Sequence, residues 1–149
     1  MLWNKSLETG IPAIDTQHKE LFRQVDILFD KNNKDRVPRT LKFLGEYVVK
    51  HFNDEQLLQA KSRYPKALSH KKMHSDFVVA FTKMKQEYDN GNGSLIILLK
   101  INRAVSDWLK NHIMIHDKEF ATYYKNLQKQ KTEDVPIGGS RTAQRSSAP

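Results

Sequence analysis

Residues 51–74 read HFNDEQLLQAKSRYPKALSHKKMH, and their spacing organises the rest of the chain. His51 and Glu55 are four residues apart in the first half of this stretch. His70 and His74 repeat that spacing in the second half. Residues four apart share one face of an α-helix. Each half therefore offers two metal ligands side by side, and imidazole and carboxylate ligands suit iron, zinc or manganese.

Apolar residues recur every three or four positions on both sides of this stretch, which predicts amphipathic helices. We predict four long helices and one short one, over about 16–29, 38–61, 66–88, 95–115 and 118–128. Asp15 and Ser94 are the predicted N-caps of the first and fourth helices, and Pro38 suits the first turn of the second. Residues 1–14 are expected to form an extended arm, and residues 89–93 a turn.

Four amphipathic helices with short connections predict an all-α fold, an antiparallel up-down-up-down four-helix bundle. The bundle, with its N-terminal arm and short C-terminal helix, is expected to span residues 1–130. Residues 131–149 contain Gly, Ser and Pro but few large apolar side chains, so a disordered tail is expected there.

The bundle topology brings distant polar residues to one end. The start of the first and third helices and the end of the second and fourth lie at the same end of such a bundle. The residues that occupy inward positions there are His18, His51, Glu55, His70, His74 and His112, with Asp117 just beyond. Asp117 follows His112 by five residues, which on a regular helix is about 140° away in direction. Both can reach one site only if the helix unwinds or bends between them.

So many polar groups in a core need a compensating charge. An unpaired buried carboxylate costs several kcal/mol, and a metal cation would offset that cost. Five imidazoles and two carboxylates are too many for one tetrahedral zinc ion, but they suit two metal ions about 3.5 Å apart. Each residue alone could instead be a helix cap, a surface pair or part of a wet bundle end. His116 fits no apolar stripe and is expected outside the ligand set.

Composition limits the other possibilities. The chain has 149 residues and no cysteine, which predicts one domain and excludes disulfides, iron–sulfur clusters and thiolate chemistry. No apolar run is long enough to span a membrane and no signal peptide is evident, so a cytoplasmic protein is expected. The net charge of +8 could attract nucleic acid, but no binding motif accompanies it. We expect a solvated lysine-rich surface and no nucleic-acid partner.

The motifs together resemble the hemerythrin family, and most closely its single-domain bacterial members. The segments that match are LWNKSLETGIPAID, QHKELF, YVVKHFNDE, YPKALSHKKMH and DWLKNHIMIHD, which lie within residues 3–125. All seven ligand positions of the family are filled. Gln56 is a departure, because many bacterial relatives have a second glutamate there, but that position is not a ligand.

The resemblance implies a non-heme centre of two Fe ions, with an oxo or hydroxo bridge, that binds O₂ reversibly. Glu55 and Asp117 would bridge the two irons. The three histidines that would complete one iron are His70, His74 and His112. His18 and His51 would hold the other iron and leave a position open for O₂.

An O₂ site should be apolar and dry. The residues predicted to line it are Leu21, Phe52, Trp108, Leu109 and Ile113. The function expected is carriage, storage or buffering of O₂ rather than catalysis. Three alternatives stay open: an O₂ or redox sensor acting through a partner, a di-iron enzyme acting on peroxide or nitric oxide, and a metal-free basic bundle that binds nucleic acid.

Overall fold

The computed structural model describes residues 3–28, 30 and 35–134 of the chain. Five α-helices are present there: α1 (Pro12–Ile27), α2 (Val37–Lys61), α3 (Ala67–Asn90), α4 (Leu95–His112) and α5 (Lys118–Glu133). A 3₁₀ turn, Lys5–Leu7, precedes α1, and a π-helical segment, Ile113–Asp117, joins α4 to α5. Helices α1 to α4 pack in a ring, α1 on α2, α2 on α3, α3 on α4 and α4 on α1. The predicted all-α class and four-helix bundle are confirmed.

The core lies along the axis of the ring and continues under α5. Each long helix contributes a stripe of buried apolar residues, as the three-and-four spacing predicts. A second buried cluster closes one end and consists of Ile11, Ile14, Tyr64, Phe120 and Ala121. Tyr124 packs against this cluster. Phe120 and Tyr124 therefore cover this end of the bundle.

The start of α1 differs from the prediction. The helix begins at Pro12, four residues early, because proline in the first turn lacks only an N–H that would have no helical partner there. Asp15 is consequently inside the first turn and is not the N-cap. Its carboxylate instead accepts hydrogen bonds from Thr9 N at 2.7 Å, Thr9 Oγ1 at 2.8 Å and Gly10 N at 3.0 Å. These bonds fold the N-terminal arm back onto the bundle.

Other predicted boundaries agree more closely with the structure. Helix α2 begins one residue before Pro38, and Ser94 occupies the N-cap position of α4, although its side chain makes no capping hydrogen bond. Helix α3 continues to Asn90, so the turn predicted over residues 89–93 covers only residues 91–93. Helix α5 runs five residues further than expected. Position 29, the predicted last residue of the first helix, and most of the predicted tail, positions 135–149, lie outside the described residues.

Replacing Asp15 by alanine is expected to lower the free energy of unfolding by about 2–3 kcal/mol, because three donors, two of them buried, would lose a charged acceptor. Chemical denaturation of the metal-free protein measures this loss. Asp107→Ala is the matched control, since the Asp107 side chain is 65 % exposed and its Oδ2 lies 3.8 Å from Arg103 Nε. It should change stability by less than about 0.5 kcal/mol. An equally small effect of Asp15→Ala would show that the arm is not anchored by this carboxylate.

Among residues 3–28, 30 and 35–134, no helix is long and apolar enough to cross a membrane.

Candidate metal centre

Every helix of the ring contributes to one buried polar cluster. Helix α1 contributes His18, and helices α2 and α3 contribute two side chains each. Helix α4 contributes one side chain, and the π-helical segment contributes the seventh. The members are His18, His51, Glu55, His70, His74, His112 and Asp117, each no more than 4 % exposed. The structure therefore brings together all seven residues that the sequence analysis selected as metal ligands.

The seven side chains form two groups in which the ligand atoms lie within 4.8 Å of one another. The larger group contains Glu55, His70, His74, His112 and Asp117. The smaller group contains His18, His51 and Asp117. Asp117 belongs to both groups, so the two possible ion positions share a carboxylate.

The histidines approach one another at distances that a metal ion explains. Nε2 of His112 lies 2.9 Å from Nε2 of His70 and 3.0 Å from Nε2 of His74. Nε2 of His18 lies 3.2 Å from Nε2 of His51. Neighbouring ligands around an octahedral ion with bonds of about 2.1 Å are about 3.0 Å apart. The ring nitrogens are thus spaced as adjacent ligands are.

The carboxylate of Asp117 presents its two oxygens to different groups. Oδ1 lies 3.1 Å from His112 Nε2 and 3.2 Å from His70 Nε2. Oδ2 lies 3.1 Å from His18 Nε2, which belongs to the smaller group. Oε2 of Glu55 lies 3.3 Å from His74 Nε2 and 3.5 Å from His70 Nε2.

None of the four carboxylate oxygens of Glu55 and Asp117 has a hydrogen bond of good geometry, although all are buried. Buried carboxylates without partners are costly, and a bound cation removes that cost. These oxygens and the ring nitrogens of the histidines make up the two overlapping groups. The donor set, rich in imidazole with two carboxylates, suits iron. The residues present therefore fit a pair of metal ions.

The pKa values of the cluster point the same way. Burial opposes protonation of His70, but the carboxylates of Asp117 and Glu55 raise its pKa to about 9. Burial also opposes ionisation of Asp117, yet the imidazoles of His112, His18 and His70 close to it hold its pKa well below the usual range. The cluster thus favours a positive charge between its carboxylates. Metal ions that bound here would take that place by displacing protons from the side chains.

The π-helical segment gives Asp117 its direction. Residues five apart are about 140° out of line on an α-helix, but a π-helix closes its hydrogen bonds from i to i+5. The wider turn of Ile113–Asp117 brings the Asp117 carboxylate back to the side of His112. The prediction that the helix unwinds between these two residues is confirmed.

Aromatic rings stack against the larger group. Phe52 lies parallel to His74, with ring centroids 3.8 Å apart at 5°. Trp108 lies parallel to His112, with centroids 4.3 Å apart at 11°. The other predicted pocket residues, Leu21, Leu109 and Ile113, are buried in the main core. The two aromatic residues therefore face the group with three histidines.

Two glutamines hold the outer nitrogens of ligand histidines, and neither role was identified from the sequence. Oε1 of Gln17 lies 2.8 Å from His51 Nδ1, and Nε2 of Gln56 lies 3.1 Å from His74 Nδ1. In the sequence, only the position of Gln56 directly after Glu55 indicated that its side chain could lie beside the cluster. His116 is half-buried, with its ring centroid 5.4 Å from that of His112, and it belongs to neither group of candidate ligands.

Comparison with known proteins adds three findings. The model of the hemerythrin HHE cation binding domain matches residues 9–124. The bacteriohemerythrin of Methylococcus capsulatus is 30 % identical over 122 residues, which cover 79 % of this chain and 92 % of that protein. The bacteriohemerythrin of Pseudomonas paraeruginosa is 26 % identical over 142 residues, covering 93 % of this chain and 91 % of that protein.

Solved structures agree with the sequence relatives. A crystal structure of wild-type hemerythrin superimposes with a TM-score of 0.74 at 29 % identity, covering 83 % of this chain and 97 % of the other. Among the sequence relatives, a myohemerythrin of Theromyzon tessulatum is 29 % identical over 111 residues, covering 74 % of this chain and 82 % of that protein.

Proposed function

Because the chain belongs to the hemerythrin family, we propose that it binds O₂ reversibly at a non-heme di-iron centre, as a carrier, store or buffer. The observation that carries the proposal is the convergence of five imidazoles and two carboxylates in two overlapping groups. The carboxylate oxygens of both acids are buried without hydrogen bonds, so the cluster fits a pair of cations.

The proposed division of ligands follows the two groups. Glu55 and Asp117 would lie between the ions, since Asp117 is shared and the Glu55 oxygens are free to accept a second contact. The remaining ligands of the larger group would be His70, His74 and His112. His18 and His51 would serve the other ion. The bound pair would supply electrons and a vacant coordination position for O₂.

The smaller group has fewer protein ligands, and that difference favours O₂ binding on its side. Only His18, His51 and Asp117 belong to it, whereas five side chains belong to the larger group. A metal site that binds a small molecule keeps a position free of protein ligands. The chain's own contribution is to hold these three side chains rigidly and to exclude water around them.

Exclusion of water would fall to the apolar residues of the core. Leu21, Leu109 and Ile113 are 2 % exposed or less, and Phe52 lies between His51 and His74, with ring centroids 5.6 Å and 3.8 Å away. A dry site slows proton delivery and so slows the irreversible oxidation of a reduced centre. We propose these residues, with Trp108, as walls of the O₂ pocket.

Replacing Ile113 by alanine is expected to speed autoxidation several-fold while leaving the iron content unchanged. The side chain is 0 % exposed and follows His112 directly, so its truncation leaves a cavity beside a ligand that water can enter. The same change should lower the free energy of unfolding by about 2–5 kcal/mol. The decay of the oxygenated spectrum in air measures the rate.

Ile96→Ala, on α4 at a side chain that is 79 % exposed, is the matched control and should leave autoxidation unaltered. If both variants autoxidise at the rate of the unaltered protein, Ile113 is not part of the pocket.

The proposed function is tested by absorption spectra of the iron-loaded protein, recorded after anaerobic reduction and again after exposure to O₂. Visible bands that vanish on reduction, return with O₂ and vanish again when O₂ is removed would support reversible binding. A centre that goes to a ferric form in a single cycle would overturn the carrier proposal in favour of a sensor or an enzyme.

The sequence left a sensor, an enzyme and a nucleic-acid-binding bundle as alternatives, and no contact among the described residues favours any of them. Steady turnover of peroxide or nitric oxide would replace the carrier proposal by an enzymatic one. Cytoplasmic localisation and the absence of a nucleic-acid partner stay predictions.

A further inference from the structure

We propose that Gln17 is a positioning residue that sets the electron-donating strength of His51, and thereby the redox balance of the ligand-poor side of the metal centre. The inference rests on the proposed function. It concerns a hydrogen-bonded chain that runs from His51 through Gln17 to Asp54 and Lys50.

The hydrogen-bonded chain begins at His51, and the side of the ring that faces the cluster decides which nitrogen carries the proton. Its Nε2 points into the cluster, 3.2 Å from His18 Nε2. A neutral imidazole that binds a metal through Nε2 carries its proton on Nδ1. The His51 Nδ1–H group therefore donates to Oε1 of Gln17 at 2.8 Å.

The outer end fixes which way the Gln17 amide faces. Gln17 Nε2 donates to Asp54 Oδ2 at 2.7 Å, and Lys50 Nζ donates to the same oxygen at 2.6 Å. A carboxylate only accepts hydrogen bonds, so the amide nitrogen must face Asp54 and the amide oxygen must face His51. The chain also ties α1 to α2, because Gln17 lies on the first helix and its two partners, His51 and Asp54, lie on the second.

The smaller group has no other hydrogen bond of this kind among the described residues. His18 Nδ1 is buried and has no hydrogen-bond partner there. Asp117, the third member, is shared with the larger group. The partner of His51 Nδ1 is therefore the point at which the protein can adjust this side of the centre independently of the other.

The neutral amide has a definite electronic consequence. An acceptor on the outer nitrogen raises the basicity of a ligand histidine, and a carboxylate does so more strongly than an amide. Gln17 places an uncharged group between the His51 ring and the negative charge of Asp54. We infer that this moderates the electron donation of His51, so that the ferric state is stabilised less and the reduced form that binds O₂ persists.

Two variants of opposite effect test this inference. Gln17→Leu removes the acceptor, so the reduction potential should rise and the affinity of the metal-free protein for Co²⁺ should fall by about tenfold. The double variant Gln17→Glu with Asp54→Asn exchanges the amide and the carboxylate. It keeps the net charge, reverses the direction of the hydrogen bond between positions 17 and 54, and moves the negative charge next to His51. Its reduction potential should fall and its autoxidation should be faster.

Gln86→Leu is the control, because Gln86 is an exposed glutamine on α3, three turns beyond His74. Opposite shifts of the potential in the two Gln17 variants, with none in the control, would support tuning through His51. Shifts in the same direction, or none, would mean that Gln17 only joins two helices.

The Co²⁺ titration separates this inference from the proposed function. If the unaltered protein binds Co²⁺ and iron while Gln17→Leu binds Co²⁺ equally well, the inference fails and the proposed function stands. If the unaltered protein binds neither metal, both are overturned.

Discussion

Replacing Asp117 by asparagine is expected to abolish most of the stabilisation that metal ions give this protein. Asp117 is the residue common to both groups of candidate ligands, with Oδ1 near His112 and His70 and Oδ2 near His18. Asparagine has nearly the same shape but lacks the charge, so both ion positions should weaken while the packing is preserved.

The size of the effect follows from mass action. A ligand present at 100 times its dissociation constant stabilises the folded state by about 2.7 kcal/mol, and two ions contribute more than one. Thermal unfolding of the metal-free protein, repeated under anaerobic conditions with Co²⁺ in excess, gives the gain directly. The unaltered protein should show a large rise of Tm, and Asp117→Asn less than half of it.

Asp107→Asn removes an exposed carboxylate on α4 and should keep the full metal-dependent rise of Tm. An undiminished rise in Asp117→Asn would contradict the assignment of this residue to the metal centre. In that case, metal binding would no longer explain why the π-helical segment turns the Asp117 carboxylate towards His112.

The second large effect is expected from Phe52→Ala, which should lower the free energy of unfolding by about 3–5 kcal/mol. Phe52 is 2 % exposed, stacks on His74 and meets Phe77 and Trp108 edge-on, with ring centroids 6.0 Å and 5.6 Å away. The aromatic contacts add to the loss of buried apolar area.

This substitution should also open the metal centre to water. A surface groove of about 340 Å³ lies between α2 and α3, and Phe52, Gln56 and His74 are among the residues that line it. Removing the ring extends the groove along the face of His74. Iron should then pass to a chelator at least several-fold faster than from the unaltered protein.

Phe43→Ala provides the comparison, since Phe43 is 39 % exposed and stacks only on Tyr47 among the described aromatic rings, with centroids 5.4 Å apart. Its cost should stay near 1 kcal/mol, with no change in iron release. If denaturation and chelator assays gave Phe52→Ala the same small values, the stacked ring would be neither a support nor a seal for His74.

The cluster of candidate ligands could be predicted because it follows from helical periodicity. His51 with Glu55, and His70 with His74, repeat the spacing of one helix face, and short connections force the helices to be antiparallel. The five-residue interval from His112 to Asp117 even required a local departure from α-helical geometry. The π-helical turn at Ile113–Asp117 meets that requirement.

The contacts that the sequence analysis missed join different elements of the fold. Asp15 was assigned to a helix cap because aspartate before an apolar stripe has that role most often, whereas its carboxylate binds the arm at Thr9 and Gly10. The partner of Gln17 is 34 positions away on another helix. A polar side chain on a helix flank has no periodic pattern that announces such a partner, so only the packed bundle reveals it.

The claim on which the whole account depends is that the seven buried side chains hold two metal ions. Anaerobic titration of the metal-free protein with Fe²⁺, followed by removal of unbound metal and elemental analysis, tests it most directly. The account predicts a break at two ions per chain, reduced to one or none in Asp117→Asn. One ion or none per unaltered chain would contradict it.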